Sequence, residues 1–99
     1  MILEKTITRR ILKALNARPD TIAIKTHGSV YGQAGMPDII GCVDGNAFAL
    51  EVKRPGGKAT PLQKVWLRRW RTAGAYAGVV RSMADVDRIL GAAEGEGMT

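Results

Sequence analysis

Between residues 3 and 16 the apolar positions recur every three or four residues. At about 100° per residue, Leu3, Ile7, Ile11, Ala14 and Leu15 gather on one arc, with Lys5, Arg9 and Lys13 opposite, which predicts an amphipathic helix. Pro19-Asp20 closes that segment, and the β-branched run Thr21 to Thr26 predicts a short strand. Residues 27 to 37, HGSVYGQAGMP, read as a glycine-rich loop in which His27 and Tyr31 are ordinary loop residues. Two short apolar runs then flank Asp44-Gly45-Asn46, a β-hairpin signal. On the second strand Phe48, Leu50 and Val52 point one way, as core, and Ala47, Ala49, Glu51 and Lys53 point the other. Thr60 is a helix N-cap, with Pro61 at the first helical position and Gln63 at the third. That helix runs to about Ala73 and stops before Gly74. Its expected buried stripe is Leu62, Val65, Trp66 and Ala73, with Trp70 at the margin and Gln63 at the edge. Tyr76 to Arg81 reads as a buried strand, and Ser82 caps a last helix with Val86, Ile89 and Leu90 apolar. The order predicts one α/β domain over residues 1–90, with a mixed sheet, the hairpin at its centre and helices on its faces. Residues 91–99, GAAEGEGMT, read as a frayed tail.

The turn decides what faces what. Asp-Gly suits the two central positions of a type I′ turn, where both φ values are positive. With Asp44 and Gly45 there, Val43 pairs with Asn46, and Asp38 falls directly across from Glu51. A turn centred on Gly45-Asn46 would instead pair Asp38 with Lys53 and leave Glu51 on the diagonal. Either register puts Asp38, Glu51 and Lys53 on one face. Like charges facing each other destabilise a strand pair, and a divalent cation held by oxygen ligands would offset that. Glu4 is a second misfit. It sits inside the apolar arc of the first helix, where an acid is costly unless it is paired or binds a metal. The alternative is that Glu4, in the first turn, favours the positive helix end and stays solvated.

Composition adds three constraints. The chain of 99 residues is 45% hydrophobic and 24% charged, ordinary for a globular domain. Cys42 is the single cysteine and His27 the single histidine, which excludes an internal disulfide, a Cys/His zinc site and two-histidine mechanisms. With no apolar stretch long enough for a membrane span and no export signal, the expected location is the cytoplasm. Net charge is +6, and from Val52 to Ala84 there is no acid at all. Lys53, Arg54, Lys58, Lys64, Arg68, Arg69, Arg71 and Arg81 fall in that stretch, so the expected partner is a polyanion, most simply nucleic acid. Lys64, Arg68 and Arg71 line the helix side opposite its apolar stripe, suited to phosphates. Arg69 falls inside that stripe and is expected to snorkel. Neither glycine cluster cradles a phosphate: Gly28, Gly32 and Gly35 lack the dinucleotide spacing, and after Gly56-Gly57-Lys58 comes Ala59 in place of Ser or Thr.

Two carboxylates at a strand pair with a lysine two residues on meet the needs of metal-assisted phosphodiester hydrolysis. Mg²⁺ takes oxygen ligands and keeps several waters, so one or two carboxylates suffice. The lysine can orient the attacking water and stabilise developing charge. Glu4 can add an acid, directly or through water, and Gln63 can hold the lysine or the water. The competing reading is a nucleic-acid-binding domain whose acids only make structural ion pairs.

At these residues the chain resembles the PD-(D/E)XK nucleases: Pro37-Asp38, then Glu51-Val52-Lys53. It is similar in more detail to the VRR-Nuc group, with a helical acid (Glu4), G-x-P-D (Gly35 to Asp38), E-V-K, a basic glycine turn, T-P-x-Q (Thr60 to Gln63) and a late strand ending V-V-R-S (Val79 to Ser82). The resemblance covers about residues 4 to 90. It implies a restriction-endonuclease-like αβββαβ core with a C-terminal helix, and DNA cleavage dependent on Mg²⁺ or Mn²⁺. It carries metal-ligand roles onto Asp38, Glu51 and the backbone carbonyl of Val52, with Glu4 as a further candidate. It gives the catalytic lysine role to Lys53, accessory roles to Glu4 and Gln63, and none to Arg81. Together with the charge pattern it points to Arg54, Lys58, Lys64, Arg68 and Arg71 as DNA contacts. Stand-alone members of this size, of phage or bacterial type, look like homodimers that cut branched DNA such as four-way junctions.

Overall fold

The computed structural model describes residues 2–26 and 34–97; His27 and Tyr31 lie outside that range. Helix α1 (Glu4–Asn16) leads into strands β1 (Thr21–Lys25), β2 (Ile39–Val43) and β3 (Asn46–Val52), helix α2 (Pro61–Thr72), strand β4 (Tyr76–Val80) and helix α3 (Met83–Gly97). This is the expected αβββαβ order with a C-terminal helix. The strands form one sheet in the order β1-β2-β3-β4, antiparallel except for the parallel β3–β4 pair. The hairpin β2–β3 therefore sits at the centre.

The two faces of the sheet are covered unequally. On one, α1 and α3 bury Ile7, Ile11, Leu15, Val86 and Leu90 against Ala23, Ile39, Val43, Phe48, Leu50, Val52 and Val80. Full burial of side chains of this size contributes about 1.5–3 kcal/mol each. A one-residue slip in β3 would turn Phe48, Leu50 and Val52 out together, so the core locks the register. On the other face α2 packs over β3 and β4, where Leu67 meets Ala49 and Ala77 with Ile40, Trp70 and Val79 around them.

Three expectations need correction. Leu3 is 49% exposed and does not join the α1 core. In α2 the buried residue is Leu67; Leu62 and Val65 are 47% and 41% exposed, and Ala73 is exposed as well. The apolar arc of α2 is wider than the surface available to it. The helix lies on small residues of β3 and β4, and its Leu62–Val65 flank turns away from the sheet. Finally, α3 continues to Gly97, past the residue-90 limit suggested by the glycines. Ala92, Ala93 and Glu94 are good helix formers and carry the helix across them.

Candidate active site

The hairpin turn has Asp44 at φ 49° and Gly45 at φ 83°, positive at both central positions as a type I′ turn requires. Val43 pairs with Asn46 and Ile39 with Leu50, so the next step sets Asp38 across from Glu51. This is the first of the two registers considered above. Strand alternation places both acids, and Lys53, on the α2 side of the sheet.

Asp38 is fixed from three directions. The backbone N–H of Thr26 donates to the Asp38 carbonyl at 2.8 Å, and Thr26 Oγ1 donates to the carbonyl of buried Pro37 at 2.6 Å. The Asp38 carboxylate accepts the Val52 N–H at Oδ2, 2.8 Å away. Helix α2 braces the preceding segment: Trp66 Nε1 donates to the Ala34 carbonyl at 2.9 Å. Gly35, at φ 79°, lets Leu62 approach so closely that a Cβ there would lie 2.7 Å from Leu62 Cγ.

Glu51 is only 2% exposed, and its Oε1 has no hydrogen-bond partner. Burial, then the hydrogen bond with Asp38 and the Asp38 charge, push its carboxyl from 4.5 up to about 9. Lys53 pulls the other way, and Glu4 adds a smaller push upward. At neutral pH Glu51 thus keeps its proton. Lys53 is half-buried, and its N–H donates to the Val80 carbonyl at 3.0 Å, extending the β3–β4 ladder past Val52.

The other expected residues lie around this centre. Glu4 is exposed in the first turn of α1, the solvated alternative, and acts on Glu51 only through its field. Among the described residues no group of three or more His, Cys, Asp or Glu is close enough to hold a metal by itself. Gln63 commits its Oε1 to the Thr60 N–H at 2.8 Å, while its own N–H meets Thr60 Oγ1 at 3.2 Å, a complete capping box. Arg54, Lys58, Lys64 and Arg68 are exposed. Arg71 is exposed too, but one of its N–H groups donates to the Ala77 carbonyl at 3.0 Å and ties α2 to β4. Arg69 stacks over the Trp66 ring, 4.8 Å from its centroid, so it covers an aromatic face rather than snorkelling alone.

A buried carboxylate oxygen without a partner, paired with a second carboxylate that also takes a backbone N–H, is a donor set that a hard divalent cation satisfies. Mg²⁺ and Mn²⁺ are cations of that kind, and Asp38 and Glu51 would be among the residues to hold one. Sequence reasoning missed Thr26, Trp66 and Arg81 as supports, since each acts through a backbone carbonyl distant in sequence.

An αβββαβ core with an acid pair and a following lysine on its central hairpin is the arrangement of a PD-(D/E)XK-type nuclease domain. The VRR-NUC domain model matches residues 5–84, and the chain belongs to that family. It is similar to a solved VRR-NUC domain protein at a TM-score of 0.73 and 17% identity, over 91% of this chain and 86% of that one. It is also similar to a second solved VRR-NUC domain at a TM-score of 0.64 and 27% identity, over 88% of this chain and 92% of that one. Comparison with the curated proteins gives no match. A nuclease domain takes nucleic acid as its substrate. Among the described residues no helix is long and apolar enough to cross a membrane.

Proposed function

We propose that the chain is a Mg²⁺- or Mn²⁺-dependent DNA endonuclease, selective for branched substrates such as four-way junctions and active as a homodimer. The observation that carries the metal-dependent reading is the buried, unpartnered Oε1 of Glu51 beside Asp38. Asp38, Glu51 and the Val52 carbonyl hold the cation, with Glu4 reaching it through water at most. The bound cation supplies Lewis-acid polarisation of the phosphoryl oxygen and a lowered pKa for its water. Lys53, on the same strand face, orients the attacking water and stabilises the charge that builds on the phosphate. Arg54 and Lys58 on the following turn, and Lys64, Arg68 and Arg71 on α2, contact phosphates flanking the cut. Gln63 acts through its cap, which holds the start of α2.

Branched DNA presents two strands for cutting, and a twofold dimer would offer two sites for them. The apolar surface left bare beside α2 supports a dimer. Ile22 and Ile24 are 62% and 55% exposed and, with Ile40, Gly41 and Trp70, line a hollow of about 200 Å³.

The test is cleavage of a panel (four-way junction, flap, splayed arm, plain duplex) with Mg²⁺ or Mn²⁺. Junction cleavage is expected from the wild type and should vanish in Asp38→Ala and in Lys53→Ala. Binding without cleavage under either ion, or cleavage indifferent to both substitutions, overturns the reading.

A further inference from the structure

Arg81 follows the last residue of β4 and is half-buried. Its Nη2 donates to the carbonyl of Gly57 at 2.6 Å. Its own N–H donates to Asp85 Oδ2 at 2.8 Å, and Asp85 Oδ1 accepts Arg88 Nη2 at 2.6 Å, so the start of α3 anchors it. The Gly57 N–H donates in turn to the Arg54 carbonyl at 2.9 Å. That closes the turn that begins at the residue after Lys53. Pro55, Gly56 and Lys58 are exposed, so burial does not hold this turn in place.

The adjacent link lies one residue earlier on the β4 side, where the Lys53 N–H meets the Val80 carbonyl. The end of β4 thus holds the lysine segment twice, through the backbone at Val80 and through the side chain at Arg81. A guanidinium stays charged at any working pH, and its planar fork aims a donor in a fixed direction. That makes it a better clamp for a glycine-rich turn than a neutral side chain.

We propose that Arg81 is a positioning residue: by pinning the Gly57 carbonyl it sets where Lys53, Arg54 and Lys58 stand relative to Asp38 and Glu51. The inference rests on the nuclease reading of that site. Misplacement of a reacting group by about 1 Å can cost on the order of a hundredfold in rate, so a slack turn slows the chemistry more than it weakens binding.

Two readouts on Arg81→Ala and Arg81→Lys decide it. In the alanine variant, amide exchange across residues 53–58 should speed up. Its single-turnover rate on saturating junction DNA should fall roughly 10–100-fold, while the dissociation constant moves by less than about threefold; the lysine variant, keeping a charged donor, should recover part of the rate. Unchanged exchange removes the pin whatever the activity does. Faster exchange with an unchanged rate overturns the positioning role. So does a rate loss that follows the melting temperature and disappears on cooling. A wild type that cuts nothing overturns the nuclease reading and the positioning role with it, and the exchange data still decide whether the pin exists.

Discussion

At the scale of single residues the protein concentrates its electrostatic strain on Glu51. The side chain is buried, faces a second acid and holds its proton until about pH 9. In the unfolded chain the same carboxyl would ionise near 4.5. Below that value both states carry it neutral and no penalty arises. Between the two values the unfolded chain has released a proton that the folded chain still binds. Stability of the metal-free protein should therefore fall as pH rises across that window, by at most about 1.4 kcal/mol per unit. Glu51→Gln keeps the shape and removes the titration. Its melting temperature in chelator should exceed that of wild type at pH 8 and match it near pH 4. Mg²⁺ or Mn²⁺ should raise the wild-type melting temperature at pH 8 and leave the glutamine variant unmoved. A wild type whose stability is flat with pH, or a glutamine variant that still responds to the cation, would contradict this account of the pair. The facing acids were legible in the sequence because strand alternation and the Asp-Gly turn are local rules. The supports were not. Trp66 reaches Ala34, Arg81 reaches Gly57, and nothing short of the packed fold selects those carbonyls.

At the scale of elements, helices and strands follow their local signals, and the errors concern which side faces what. The caps at Thr60 and Ser82, the Asp-Gly turn and the β-branched run of β1 are short-range chemistry and stand where expected. The buried side of α2 depends on the sheet below it, so an arc drawn from residue spacing placed Val65 inside when it is exposed. Strand β1 raises a different problem, since it lies at the edge of the sheet. The Asn16 amide answers it. Its Oδ1 accepts the Ala23 N–H and its Nδ2 donates to the Ala23 carbonyl, each at 2.9 Å. One side chain thus occupies both outward groups of the middle residue of the strand and ties the end of α1 to it. An open edge invites another strand, so the plug both stabilises and protects. Asn16→Ala should cost about 1–2 kcal/mol, two modest hydrogen bonds at a partly exposed site, and should raise concentration-dependent aggregation. Asn16→Asp keeps the acceptor, loses the donor and should fall between. Equal stability of alanine variant and wild type in a denaturant titration would show that the plug carries no weight.

At the scale of the whole molecule the decisive asymmetry is between the two sheet faces. Two helices close one. A single helix, set over β3 and β4, covers half of the other, and the β1–β2 half keeps Ile22 and Ile24 largely in water. Trp70 links that half to α2: it borders the hollow beside Ile22, Ile24 and Ile40 and a second one of about 260 Å³ beside Trp66, Arg69 and Ala73. In a twofold dimer each copy would lay its exposed Leu62–Val65 flank in the other's hollow. The Asn16 plug hinders the route in which two β1 edges pair, which favours face-to-face contact for the proposed dimer. Ile22→Glu and Val65→Glu each place a charge on this surface without touching the core. Each variant should fold, with a melting temperature within a few degrees of wild type, and should sediment as a monomer under conditions where the proposed dimer of the wild type is expected. On junction DNA the monomeric variants should keep slow nicking through their intact Asp38, Glu51 and Lys53, but lose paired cuts on the two strands. A wild type that is monomeric at micromolar concentration, or charged variants that remain dimeric, would place the contact elsewhere or remove it. If paired cuts survive in a monomeric variant, one site serves both strands in turn, and the twofold is not what the reaction needs.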